Sequence, residues 1–153
     1  MKSMKPKILE RHEKSINEFV EMLLDKFKDR IAAIVLFGSV AKGTAKRTSD
    51  IDLLIIAHDV PKRMLDREEM LADEIMKIIK KHYVRIMPIL LEPQELSTRY
   101  INPLFYGMLT GYSVLYDPQK LWSNYLLKIK PRILQKKPIY IENEKRWQIA
   151  EMI

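Results

Sequence analysis

The chain has 153 residues, 27 Lys+Arg against 20 Asp+Glu, a formal net charge of +7 and no cysteine. That length predicts one domain with a true core, and 47% hydrophobic with 31% charged residues excludes a disordered or fibrous chain. Without cysteine there is no disulfide scaffold, thiolate metal site or Cys nucleophile.

No apolar run approaches the roughly 18–20 residues of a membrane span. The basic N-terminal stretch MKSMKPKILERHEKS lacks the apolar segment of a secretory signal, so a cytoplasmic location is expected. Residues 6–29 then read as an amphipathic helix, with Ile8, Leu9, Ile16, Phe19, Val20, Leu23, Leu24 and Phe27 at three- and four-residue spacing. Ile31–Phe37 is a short continuous apolar run and predicts a strand covered on both faces. Gly38-Ser39 stops it, and residues 38–49 are small, polar and basic. Ile51–Ala57 predicts a second strand, with Asp50 and Asp52 interrupting its start. A helix over 63–81 should turn Met64, Leu71, Ile75, Ile78 and Ile79 inward. Val84–Leu91 predicts a third strand, placed at an edge or bulge by Pro88. Residues 93–110 read as helix broken near Pro103, 113–116 as a short strand and 118–127 as helix.

The last fifth is basic. Lys120, Lys128, Lys130, Arg132, Lys136, Lys137, Lys145 and Arg146 stand against only Glu142 and Glu144 over residues 120–149. The expected architecture is α+β, a small mixed sheet packed with helices. The expected domain spans 1–130, and a basic C-terminal tail over 131–153 is expected to pack on it.

Chemistry concentrates at 38–52. Gly38-Ser39 after a buried strand admits a ligand close to the backbone. A helix starting there offers free N–H groups to an anion, with the Ser39 hydroxyl as a further donor. The period of two puts Asp50 and Asp52 on one face of the strand and Ile51 on the other. Two hard oxygen ligands beside a phosphate cradle suit Mg²⁺ held with a nucleotide. Lys42, Lys46 and Arg47 lie between, positioned to neutralise phosphate charge. Asp-x-Asp alone is ordinary turn chemistry. The full spacing Gly-Ser-x10-Asp-x-Asp arises by chance in a chain of this length at a frequency on the order of 10⁻³.

Phe37-Gly38-Ser39, Ala41-Lys42-Gly43 and Ser49-Asp50-Ile51-Asp52-Leu53 resemble the signature of the DNA polymerase β nucleotidyltransferase superfamily in its minimal, stand-alone form, the MNT domain. The resemblance covers about residues 31–91, and more loosely the segments 102–108 and 111–117. It implies transfer of a nucleoside monophosphate, AMP from ATP, to an acceptor hydroxyl with release of pyrophosphate. Gly38 and Ser39, with Lys42, Thr44 and Ser49, would hold the nucleotide. Asp50 and Asp52 would hold Mg²⁺, or Mn²⁺ in its place, as catalytic carboxylates. Family catalysts carry a third carboxylate on the strand after the second helix. Here the comparable pair is Val84-Arg85, and no Asp or Glu occurs between Glu74 and Glu92. Glu92 is the substitute candidate, and loss of a general base costs on the order of 10²–10⁴-fold in rate.

The remaining features read blandly. His12, His58 and His82 do not pair at ligand spacing and are expected in structural or surface roles. Tyr100, Tyr106, Tyr112, Tyr116, Trp122 and Tyr125 suggest packing or a protein interface. The basic tail lacks a nucleic-acid motif, so a solvated surface is favoured over RNA or DNA binding. Three functions compete: an Mg²⁺-dependent nucleotidyltransferase, which leads; an antitoxin-like protein that pairs with a small helical HEPN partner, with or without AMP transfer, as minimal family members do; and a nucleic-acid binder. A homo-oligomer is compatible with each.

Overall fold

The computed structural model describes residues 8–135, 138–141 and 146–149. Helix α1 (Glu10–Phe27) comes first, with Glu10 and Glu13 in its first turn and Lys26 in its last, matching the helix dipole. A single 3₁₀ turn (Lys28–Arg30) leads into strand β1 (Ile31–Phe37). A short helix α2 (Gly38–Lys42) and a loop then connect to β2 (Ile51–Ala57), which pairs antiparallel with β1 from Ile31↔Ala57 to Phe37↔Asp52. The two strands fall where their apolar runs predict them.

Helices α3 (Met64–Met70) and α4 (Ala72–His82) form the crossover to β3 (Ile86–Leu91), which lies parallel to β2. The single helix expected over 63–81 is thus two, separated at Leu71, which is buried. Arg67 explains the break. Its guanidinium donates to Pro61 O (2.6 Å) and Leu90 O (2.9 Å) and pairs with Glu95, which pins α3 to the end of β3. That anchoring turns Arg67 inward and leaves Met64, expected in the core, 64% exposed. β3 is an edge strand, as Pro88 predicts.

Between 93 and 110 helix is largely absent. Glu92 and Glu95 form a reciprocal capping box that closes one 3₁₀ turn, Pro93–Glu95. Ser97 Oγ then accepts from the Arg99 and Tyr100 N–H groups, the local competition by which Ser opposes helix. Helix resumes only as α5 (Leu104–Met108), with Asn102 Oδ1 accepting from Leu104 N–H at 3.0 Å.

β4 (Ser113–Tyr116) pairs antiparallel with β1 and completes a sheet of order β3-β2-β1-β4. Asp117 then accepts from Trp122 N–H (3.3 Å) and Ser123 N–H (3.0 Å) at the head of α6 (Leu121–Gln135). This helix outruns the expected 118–127 and crosses residue 131, so the domain expected to end at 130 and the tail after it share one helix. Pro131 lies inside it and is exposed, as is Leu127 one turn before, so the carbonyl that proline leaves unbonded can meet water. Beyond it, β5 (Pro138–Ile141) and β6 (Arg146–Ile149) pair antiparallel, within the stretch expected only as a basic tail.

Each sheet face carries its own core. Ile34, Leu36, Ile51, Leu53 and Ile55 pack against Ile16, Phe19 and Leu23 of α1 and Ile78 of α4. Ala33, Val35, Leu54 and Ile56 pack against α5 and α6. There Phe105, Trp122 and Tyr125 form an aromatic triangle with centroids 5.4–6.0 Å apart. β1 and β2 are therefore buried on both faces, which is why they read as unbroken apolar runs.

Candidate active site

The site forms where β1 ends beside the start of β2. Phe37 faces Asp52 in the register, and Gly38 follows with φ +76°. A Cβ on Gly38 would stand 2.1 Å from Asp52 Oδ2. Glycine is required twice here, by the left-handed backbone and by the carboxylate against it. α2 then runs one turn and ends at Gly43, also at φ +76°. Ser39 O accepts from Thr44 N–H (3.0 Å) and from the Thr44 hydroxyl (3.5 Å), closing the cradle on itself. Thr44 is thereby brought to the cradle as its clasp. Lys42 is exposed, and its side chain lies against Gly111, where an added Cβ would meet Lys42 Cγ at 2.7 Å.

The loop before β2 is tied down from α1. Ser49 Oγ accepts from Lys46 N–H (2.8 Å) and Ser49 N–H donates to Lys46 O (3.0 Å), a closed turn. His12, wholly buried, places Nε2 3.1 Å from Ser49 O. A carbonyl can only accept, so Nε2 carries the hydrogen and donates. This latch holds the residue before Asp50. The sequence marked His12 only as structural or surface, and its sole signal is the inward phase it shares with Ile16 and Phe19 on α1.

Asp50 is exposed and Asp52 half-buried, and strand alternation sets them on the sheet face that α5 and α6 cover. Burial, and then the charge of Asp50, pushes the Asp52 carboxyl up from 3.8 to about 6. Neither carboxylate has an ion-pair partner among the described residues. Two like charges left side by side, one partly desolvated, form a donor set that a hard divalent cation fits and that protein cations leave unmet.

Met87 of β3, not Arg85, stands directly across from Asp52 in the parallel register. Arg85 precedes β3, and its carbonyl accepts from Ile51 N–H at 2.9 Å. Glu92 is not brought to the pair. It follows Leu91, which pairs with Ile56 at the opposite end of β2, and its Oε1 accepts from Val60 N–H at 2.9 Å. Among the described residues no three of His, Cys, Asp and Glu gather in a group that could hold a metal, so the acidic centre is a pair.

An apolar strand, a glycine cradle and two carboxylates at the start of the neighbouring strand make up the arrangement expected of a nucleotidyltransferase. The chain belongs to the nucleotidyltransferase domain family, whose profile matches residues 16–107. It is 48% identical over 138 residues to MJ1305 of Methanocaldococcus jannaschii, spanning 90% of this chain and 94% of that protein. Over 105 residues it is 39% identical to MJ0604 of the same organism, spanning 68% of this chain and 97% of that protein. Both carry the name putative protein adenylyltransferase. The fold is shared with spectinomycin adenyltransferase AAD(9) of Enterococcus faecialis, solved with ATP and spectinomycin. That match has a TM-score of 0.57, 14% identity, and spans 86% of this chain and 70% of that one. It is also shared with a chain of a toxin–antitoxin complex solved with AMP-PNP. There the TM-score is 0.50 and the identity 18%, spanning 84% of this chain and 94% of that one. No described helix is long and apolar enough to cross a membrane.

Proposed function

We propose that this nucleotidyltransferase transfers AMP from ATP to a hydroxyl group of a protein acceptor. The observation that carries the reading is the Gly38–Asp52 juxtaposition, a backbone cradle set directly against a carboxylate that lacks a cationic partner. The names of the two archaeal relatives support the choice of AMP and of a protein acceptor.

Gly38 and Ser39 would receive the triphosphate, with the first-turn N–H groups and the Ser39 hydroxyl as donors. Lys42, exposed beside them, would add positive charge. Thr44 and Ser49 act one step back, holding the cradle and the loop through the bonds described above. Asp50 and Asp52 would hold Mg²⁺, or Mn²⁺. The ion, when bound, supplies charge to offset that developing on the phosphoryl oxygens. In the transfer, the acceptor oxygen forms a bond to the α-phosphorus as the bond to the bridging oxygen of pyrophosphate breaks. The hydroxyl proton passes to solvent, since Met87 and not a third carboxylate stands across from Asp52 on β3.

That same Met87 favours a second reading, in which the chain pairs with a small helical HEPN protein and acts chiefly by binding it. Titration calorimetry with ATP and Mg²⁺, followed by ATP labelled at the α-phosphate with candidate acceptors, separates the two. Label moved onto protein by wild type and lost in Asp52→Ala supports transfer. Binding of a partner without label supports the second reading. Absence of both nucleotide binding and label would end the first.

A further inference from the structure

We propose that the outer edge of β4, with the cleft between it and α6, docks an extended acidic segment of the acceptor protein as a fifth strand. The inference rests on the reading of the chain as a protein-modifying nucleotidyltransferase and names how its substrate is held.

β4 pairs with β1 on one side, and among the described residues no strand pairs on its other side. An edge strand presents a row of free backbone N–H and C=O groups, whose natural complement is another polypeptide strand. Beside that edge lies a cleft of about 250 Å³ lined by Tyr112 and Val114 from the β4 side and Trp122, Ser123, Leu126, Leu127 and Lys130 from α6. Val114 is 40% exposed and Leu127 73%, an apolar wall open to solvent. Trp122 forms part of the cleft, and its indole N–H is buried with no acceptor among the described residues. Its ring lines the cleft, so the buried indole N–H reports on what fills that space.

Charge selects the occupant. No acidic residue occurs between Asp117 and Glu142, while Lys130 lines the cleft and Lys120 and Lys128 fall in or beside α6. A second copy of the chain would bring like charge to like charge at this edge. An acidic strand would meet complementary charge.

The position ties the cleft to the chemistry. Val114 pairs with Val35, on the sheet face that also carries Asp52. Leu36 pairs with Ser113 and Phe37 with Asp52, so one further step sets Tyr112, Phe37, Asp52 and Met87 in a row across the sheet. At about 4.8 Å per strand, Tyr112 stands about 10 Å from Asp52 and a strand added outside β4 about 15 Å, some four to five residues of extended chain. Gly111, just before it, touches Lys42 of α2. A segment laid along β4 and continuing past Tyr112 therefore reaches the cradle within a few residues. Specificity then comes from the edge and cleft, and the hydroxyl is delivered from the segment's end.

The test uses the full chain, labelled with ¹⁵N, and a synthetic peptide that alternates Glu and Val over six residues and carries Tyr five residues further on. Saturating peptide should shift the amides of 113–116 and 121–130 and the Trp122 indole N–H. Leu127→Glu and Lys130→Glu should each weaken binding at least tenfold while melting at the wild-type temperature. A peptide with Pro at alternate positions should not bind. Unmoved β4 and α6 resonances at millimolar peptide, equal binding of the Pro peptide, or a dimer sealed through β4 in solution would each overturn the proposal. ATP with Mg²⁺ is titrated separately and read at Gly38 and Ser39. If those resonances respond and the β4 ones do not, the docking edge fails alone. If the nucleotide titration is silent, the transferase reading fails.

Discussion

Asp52 is held at a cost in folding stability, and replacing it by Asn should make the metal-free protein more stable. The rise from 3.8 to about 6 corresponds to about 3 kcal/mol at about 1.4 kcal/mol per pH unit. Solvent reaches much of this half-buried side chain, and its screening reduces the figure to about 1–2 kcal/mol. The direction follows from linkage. The folded chain binds the Asp52 proton more tightly than the unfolded chain does. Stability from this group is therefore complete below about pH 4, falls as pH rises, and is fully lost above about pH 6. Asn mimics the neutral acid in size and charge. Asp52→Asn should equal wild type near pH 4 and exceed it by about 1–2 kcal/mol at pH 7, or about 3–6 °C in Tm for a chain of this size. Thermal unfolding of both proteins in chelator between pH 4 and 8 measures the difference. A variant no more stable than wild type at pH 7, or a gain that ignores pH, would refute the reasoning.

The other predictions concern different parts of the fold. Mg²⁺ at about 100 times its dissociation constant should raise wild-type stability by about 2.7 kcal/mol, with no such gain in Asp52→Asn, as scanning calorimetry can show. Gly38→Ala should abolish nucleotide binding by calorimetry and destabilise by about 1–3 kcal/mol, because its methyl would strike Asp52 Oδ2 on a left-handed backbone. His12→Ala should lower Mg²⁺ affinity or turnover about 10–100-fold by freeing Ser49 and the start of β2. His12→Gln, which keeps a donor, should recover part of the loss. Arg67→Met should cost about 1–3 kcal/mol in urea unfolding, chiefly by leaving two carbonyls unmatched while exposed Glu95 returns to water, with nucleotide binding by the folded fraction unchanged.

The elements that sequence reading located best are those whose signal is local. β1 and β2 are bounded by Gly38 and Asp50 and buried on both faces, so composition alone delimits them. β4 emerged as a four-residue apolar run between turn residues. Failures occurred where a distant side chain decides. The break at Leu71 depends on Arg67 finding Glu95, Leu90 and Pro61, and nothing in the helical periodicity reports it. The loss of helix over 96–103 has instead a local cause, Ser97 closing a turn with its neighbours, which the apolar spacing does not report.

At the site the same division holds. Gly38, Ser39, Asp50 and Asp52 were legible because the two-residue period and the glycine encode their placement. The His12 latch and the Lys42–Gly111 contact join residues 37 and 69 positions apart, beyond any spacing rule. The strand register had to be seen before Met87 could be set beside Asp52 and Glu92 at the far end of β3. Composition located excess positive charge in the last fifth, but only the fold shows that α6 brings part of it beside the open edge of β4.

The central claim is AMP transfer at the Gly38–Asp52 site. Its most direct measurement is intact-mass spectrometry of an acceptor protein after incubation with the full chain, ATP and Mg²⁺. The acceptor to use is the protein that co-purifies with the chain. The account predicts an added AMP moiety and an equal amount of pyrophosphate with wild type, and neither with Asp50→Asn or Asp52→Asn. An unmodified acceptor with wild type, or the same modification with both variants, would contradict it.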